Sequence, residues 1–384
     1  MPWSCPTAYA ANSPRDACAK RAAYAGAPLH AALEINLPTP GVADTDVDAA
    51  TRARLDAAFE ATLAASHSKS MGAAVAIAGQ GLWHREQVPE AAPLLFWASV
   101  GKTFAAVVAL QLVAERRLAL EDPVARWIAD VPNGERITIR DLLAHTSGLY
   151  SANEDPQARA ELRYRSPREA LEIARRHGPL FCPGANWRYT NTGYDLLGEV
   201  IARIDQRSID EAITARIIRP LGLRSMRALP PGGGAAGVAP LASSAATTID
   251  PSFAGAAGPI VSDATDMLRF WSALLGGRLL PTSRVREMFA TLYPMFDPGT
   301  YYGLGVMLFD VPDRDARLLW LGHAGGTPGA SAIAFYSPAD QVFVAVALTG
   351  DGPAAAVANQ LVKAVRAARE ANRQVAAPRP AAAD

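Results

Sequence analysis

Ser99 and Lys102 stand three residues apart in Phe96-Trp97-Ala98-Ser99-Val100-Gly101-Lys102-Thr103-Phe104, where an apolar run passes into an apparent helix. Positions i and i+3 share a helix face, so the amine can lie beside the hydroxyl. An amine of lowered pKa takes the serine proton and leaves an oxygen nucleophile. The helix N-terminus adds backbone N–H groups around that oxygen. The spacing alone is common, and Ser66-His67-Ser68-Lys69 has it too, in a polar segment with no helix after it to fix the pair. Gly101-Lys102-Thr103 looks like the end of a phosphate-binding loop, but Phe96 stands where that loop needs glycine and no Gly-rich cradle precedes the lysine. Trp97 to Gly101 is half of a GxSxG elbow, without a convincing Asp-then-His order after it.

Other polar clusters single out the Ser99–Lys102 pair. Tyr189-Thr190-Asn191 lies inside Phe181-Cys182-Pro183-Gly184-Ala185-Asn186-Trp187-Arg188-Tyr189-Thr190-Asn191-Thr192-Gly193-Tyr194. His323-Ala324-Gly325-Gly326 falls between two apparent strands, and Leu142-Leu143-Ala144-His145-Thr146-Ser147-Gly148-Leu149 lies between Ser99 and Tyr189. A Tyr-x-Asn tripeptide alone is most often a surface turn, and a lone histidine is usually structural. Ser151-Ala152-Asn153 matches a serine variant of the second motif, and its place after HTSGL makes it read as coincidence.

SxxK, YxN and HxG in this order, with LLAHTSGL and FxPG, resemble the serine β-lactamase and penicillin-binding superfamily. The match is to its class C-like branch of β-lactamases, DD-peptidases, D-aminopeptidases and esterases, and runs from about Arg52 to Ala367. The resemblance implies an α+β fold: an antiparallel sheet flanked by the N- and C-terminal helices, with a large helical subdomain inserted. It implies that Ser99 is acylated, Lys102 assists its deprotonation, and Tyr189 is the second proton carrier, as phenolate or hydrogen-bonded relay. Asn191 would bind the substrate amide and steady Lys102. His323 and Gly325 would line the substrate wall, His323 on an edge strand, and His145 would support the Tyr189 loop. The oxyanion hole would be the backbone N–H groups of Ser99 and Gly326. Most β-lactamases of this superfamily carry lysine where His323 stands. A histidine of ordinary pKa, about 6.5, is mostly neutral near pH 7 and offers a substrate carboxylate little charge. The expected activity is therefore hydrolysis of a small ester or D-amino-acid peptide rather than a β-lactam. Acyl transfer to an alcohol or amine, β-lactam hydrolysis and a non-catalytic scaffold are the alternatives. This chemistry requires no metal and no organic cofactor.

The elements that must position these residues read as follows. Asp48 to Ala65 has helical apolar spacing, Met71 to Ala78 is a short apolar strand, and a second strand follows through Trp83. A helix runs from Ser99 to about Arg117. Ser166-Pro167-Arg168-Glu169 and Ser208-Ile209-Asp210-Glu211 are capping boxes, the second opening a helix that stops at Pro220. Thr192 to Ile204 and Ser262 to Leu275 are helices, and 229–258 is a Pro/Gly/Ala-rich loop. After about Tyr301 the period becomes two, with strands expected at 304–310, 316–322, 330–336 and 341–349 and turns at Pro312-Asp313 and Pro338-Ala339-Asp340. A helix from Pro353 to Ala371 closes the pattern. The expected organisation is an arm at 1–46, a discontinuous sheet domain at 47–98 and 300–372, a helical subdomain at 99–299 and a disordered tail at 373–384.

Composition narrows the partners. The 384 residues hold 37 Lys+Arg and 37 Asp+Glu, a formal net charge of zero, which gives no basic footprint for nucleic acid or an anionic surface. No apolar run approaches the ~20 residues of a membrane span. A small-molecule or peptide substrate fits best. Of the three cysteines, Cys5 and Cys18 could close a small disulfide loop or remain free thiols; Cys182 is the third. A disulfide favours a periplasmic or secreted location over a cytoplasmic one.

Overall fold

The computed structural model describes residues 18–39, 41–242, 248–312 and 317–376. An eight-stranded antiparallel sheet runs in the order Gly81–Gln87, Met71–Ile77, Val342–Thr349, Ala330–Ser337, Arg317–Thr327, Met307–Pro312, Thr300–Tyr302 and Tyr293–Pro294. Register follows from alternation, with Met71 opposite Leu348 and Val75 opposite Val344. Ala73, Val75 and Ile77 join Val342, Val344, Val346 and Leu348 in one core, covered by the helices Ala49–Ser66 and Ala354–Ala376. The intervening Ala74, Ala76, Ala345 and Ala347 face the other way, and their small side chains admit the helix Ala264–Leu275 closely onto the sheet.

That inner face carries the large core around the helix Gly101–Ala114, whose residues 101–110 are all buried. A helix that is apolar on every side has no solvent face, and this one runs through the middle of the molecule. Both capping boxes form, at Ser166 with Glu169 and Ser208 with Glu211. The second does not open one regular helix: Ile209–Ile213 passes into a π-helical turn at Thr214–Ile218 before ending at Arg219–Leu221.

Several expectations are corrected. Cys18 bonds to Cys182, with Cα atoms 5.7 Å apart, rather than to Cys5, which lies outside the described residues. The turn expected at Pro312-Asp313 also falls partly outside them. The last helix continues to Ala376, through the first residues of the expected disordered tail, whose remainder, 377–384, is not described. Met307–Pro312 pairs with Arg317–Gly322 on one side and Ala330–Ser337 pairs on the other, so the strand bearing His323 is interior and not an edge. The ladder to Met307–Pro312 stops at Gly322, one residue short of His323. Tyr293–Pro294 and Thr300–Tyr302 extend the sheet further. These added strands have two and three residues, and one contains proline, too little for a period-two signal.

Candidate active site

The short strand Leu95–Phe96 pairs with Ile260–Ser262 and delivers the chain to a 3-10 turn, Ala98–Val100, that leads into the helix Gly101–Ala114. Trp97 is fully buried; its backbone N–H donates to Ile260 O at 3.0 Å and its indole N–H to Ser262 O at 3.3 Å. Ala98 has φ 45°, a left-handed conformation that costs a non-glycine residue ~1 kcal/mol. The strain sits one residue before Ser99, where the chain must reverse from strand to helix, and Ser99 emerges half-buried at the helix start.

Lys102 is completely buried within this helix, and its Nζ lies 3.2 Å from Ser99 Oγ, 2.7 Å from Asn191 Oδ1 and 2.9 Å from Ala257 O. Burial pushes its pKa down to about 7, against the raising pull of the Asp195 carboxylate. A neutral amine has two N–H donors and one lone pair. The amide oxygen of Asn191 and the Ala257 carbonyl take the donors, which leaves the lone pair for the Ser99 hydroxyl. Ala257 ends the 3-10 segment Pro251–Ala257, kinked at Gly255 with φ 50°. Backbone from the stretch read as a surface loop thus grips the lysine, an acceptor no side-chain motif announces.

Tyr189 shares a hydrogen bond with Ser99, and its ring centroid lies 4.8 Å from Lys102 Nζ. Burial raises the phenol, so it stays protonated at neutral pH rather than ionising to a phenolate. Its loop is held from several sides. Cys182 is bonded to Cys18, Ala22 N–H donates to Pro183 O at 3.0 Å, and Ala25 N–H donates to Ala185 O at 2.9 Å. Arg21, on the same arm, bonds Asp141 in the capping box of the helix Ile139–Ala144. His145 follows that helix in the left-handed region, φ 61°, and is fully buried. Its carbonyl accepts from Arg188 N–H at 3.0 Å and its Nδ1 from Thr190 N–H at 3.2 Å, which gives it the supporting role expected. Burial first, then the Lys102 charge, holds it well below the usual imidazole range.

The stretch Ser151-Ala152-Asn153, read as coincidence, braces the second motif. Asn191 N–H donates to Ser151 Oγ at 2.9 Å and Ala152 N–H to Thr192 Oγ1 at 2.9 Å, where the helix Asn191–Asp205 begins.

The third wall differs from expectation in its histidine. His323 is 0% exposed. Its Nδ1 donates to Ala324 O at 2.6 Å, so Nε2 accepts from the Tyr302 hydroxyl at 3.2 Å. Burial, with the Lys102 charge, lowers its pKa to about 3. A neutral, enclosed imidazole does not face a substrate; it braces the strand. Tyr302 and Tyr194 were not read from the sequence. Tyr194 Oη donates to Leu143 O at 3.0 Å and stands 3.3 Å from Tyr302 Oη, so the two phenols fill the space between the HTSGL helix and His323. Gly325 lies against the Ser99 backbone: a methyl group there would sit 2.5 Å from Ser99 N and 2.9 Å from Trp97 O. Gly326 follows it, exposed, opposite Ser331.

The sheet, the buried helix that follows Ser99 and the Ser–Lys–Tyr constellation together define a serine β-lactamase-like fold. Residues 55–367 match the family described as Beta-lactamase, and the chain belongs to that family. The crystal structure of a D-stereospecific amidohydrolase from Streptomyces sp. superposes with TM-score 0.69 at 32% identity, covering 82% of this chain and 98% of that one. D-amino acid amidase from Ochrobactrum anthropi, at 24% identity and TM-score 0.71 over 83% of this chain and 99% of that one, shares the fold. Among curated proteins, Esterase EstB of Burkholderia gladioli is 33% identical over 204 residues, 46% of this chain and 52% of the relative. A putative penicillin-binding protein, PbpX, of Bacillus subtilis is 28% identical over 54% of each. The chain thus spans about half the length of these curated relatives.

Proposed function

We propose that this protein is a serine hydrolase that opens an ester or amide bond through an acyl-enzyme on Ser99. The observation that carries the proposal is the setting of Lys102, whose two acceptors and lowered pKa leave a free lone pair 3.2 Å from Ser99 Oγ. Ser99 Oγ bonds to the substrate carbonyl carbon while its proton passes to Lys102 Nζ. The carbonyl π electrons move to oxygen, toward the N–H groups of Ser99 and Gly326. The C–O or C–N bond then breaks; the leaving group takes the Tyr189 proton, and Tyr189 is resupplied from Lys102. Water enters by the same relay and releases the acid.

A small ester or a D-amino-acid amide or peptide fits better than a β-lactam. His323, neutral and enclosed, presents no cation to a carboxylate. The likeness to a D-stereospecific amidohydrolase and to an esterase supports the same ranking. The Cys18–Cys182 bond supports an oxidising, extracytoplasmic setting. The test is a panel of p-nitrophenyl esters, D-alanyl amides and nitrocefin, with intact-mass detection of the acyl adduct. Turnover of an ester or D-amide with an adduct on Ser99 is expected; adduct formation that persists in Ser99→Ala overturns the assignment. Adding a competing alcohol to the same assays separates hydrolysis from acyl transfer.

A further inference from the structure

Phe296 is 55% exposed, the most exposed large apolar side chain among the described residues. It is carried on the turn between the sheet strands Tyr293–Pro294 and Thr300–Tyr302, and that turn is well anchored. Met295 N–H donates to Thr300 O at 2.9 Å, Thr300 N–H donates to Asp297 O at 3.2 Å, and Asp310 N–H donates to the carbonyl of Gly299, which stands at φ 89° where a methyl group would sit 2.5 Å from Asp310 O. A fixed turn holding a phenyl ring in water loses the apolar burial that ring could otherwise gain.

The ring is not isolated. Its centroid lies 5.6 Å from Trp187, at 66°, and 6.3 Å from Tyr189, at 57°. Trp187 and Tyr189 are themselves 6.5 Å apart, and Tyr189 is the residue hydrogen-bonded to Ser99. Three aromatic faces therefore lead from solvent to the nucleophile, at separations where rings attract each other edge-to-face or tilted. The outermost face has its free side open.

We propose that Phe296, with Trp187, forms a specificity platform for an aryl or comparably bulky neutral apolar group carried by the substrate. The inference rests on the hydrolase reading for its link to turnover, and names the substrate class of that same site. A ring laid on Phe296 covers its exposed surface and continues the stack toward Tyr189, while a methyl group reaches too little of it to matter. The recognised group can belong to the alcohol or amine that leaves or to the acyl half, and matched substrates separate the two.

The test compares kcat/KM for methyl acetate, benzyl acetate and methyl phenylacetate in wild type and Phe296→Ala. The expected result is a loss of about tenfold on one of the two aryl esters, with methyl acetate changed less than about twofold. Restoration by Phe296→Tyr is expected as well. Equal losses on all three substrates, or none, overturn the proposal, as does a preference for acetylcholine over benzyl acetate, which would mark a cation cage instead. Binding is measured separately by tryptophan fluorescence in the Ser99→Ala background, where turnover plays no part. Benzyl acetate or methyl phenylacetate should bind Ser99→Ala more tightly than it binds Ser99→Ala/Phe296→Ala; equal binding sinks the platform even where the hydrolase reading stands. A Ser99→Ala protein that still hydrolyses these esters would instead sink the hydrolase reading alone.

Discussion

Two stretches of this chain place a serine three residues before a lysine, one where a helix ends and one where a helix starts. Ser66 is the last residue of the helix Ala49–Ser66, and its Oγ donates back to Leu63 O at 3.0 Å. His67 then turns left-handed at φ 53°, and Lys69 points into solvent. Ser99 stands in the turn that opens a helix, its Oγ 3.2 Å from Lys102 Nζ, and Lys102 is carried inward on a first turn that is wholly buried. In both places a left-handed residue adjoins the serine, but His67 follows it and ends a helix, while Ala98 precedes it and aims it. On the proposed function the same spacing serves chemistry in one place only, because it depends on which helix end the serine occupies and on whether the amine loses its water.

The sharpest way to break this contrast is to remove each hydroxyl in turn. Ser99→Ala should lower kcat by about 10⁴ or more, while Ser66→Ala leaves it within about twofold, in steady-state assays on a common ester. Next in size is the approach of Gly325 to Ser99 N. Gly325→Ala should cost about 10²-fold in kcat, by crowding one oxyanion donor, with acylation by a fluorophosphonate slowed in parallel. An unchanged kcat would remove Ser99 N–H from the mechanism.

A third measurement concerns the lysine. With its pKa near 7, Lys102 should give kcat/KM an acid limb that falls as pH drops through that value, because the protonated amine has no lone pair. The Asp195 charge raises Lys102, so Asp195→Asn should move this limb to lower pH. Movement to higher pH would refute the assigned coupling. The smallest effect belongs to the idle pair. His67→Gly should raise stability by about 0.5–1 kcal/mol in denaturant unfolding, since glycine accepts the left-handed cap without strain, and turnover should not change.

Much of this was legible in residue order. Val342 to Thr349 is a short apolar run rich in valine and buried on both faces, so it reads as a strand, and Ser166-Pro167 with Glu169 reads as a helix start, because both signals are local. Ser99, Lys102, Tyr189 and Asn191 came from motif order, and the structure brings them within hydrogen-bonding reach of one another. What could not be read depends on partners far along the chain. Cys18 has its partner 164 residues away, and three cysteines do not declare their pairing. His323 was read on an edge because strand order across a sheet is not a local signal: Met307–Pro312 is legible as a strand, but nothing nearby tells that it pairs with Arg317–Gly322. Tyr302 had a faint signal, an aromatic residue just before Gly303-Leu304-Gly305, but nothing in its neighbourhood tells that its hydroxyl ends on an imidazole. Ala257 had none, since a backbone carbonyl carries no residue type.

The bond from Cys18 to Cys182 also ties the chain into a covalent ring with Ser99 and Lys102 inside it and Tyr189 just beyond the knot. In the chain-entropy account, a ring of this length withdraws roughly 5 kcal/mol of freedom from the unfolded ensemble. The withdrawal is not evenly shared. A denatured molecule with this bond intact still keeps the segment leading to Tyr189 tethered to the arm that overlies it when folded. The search that must bring Tyr189 back to Ser99 and Lys102 therefore begins from a shortened contour.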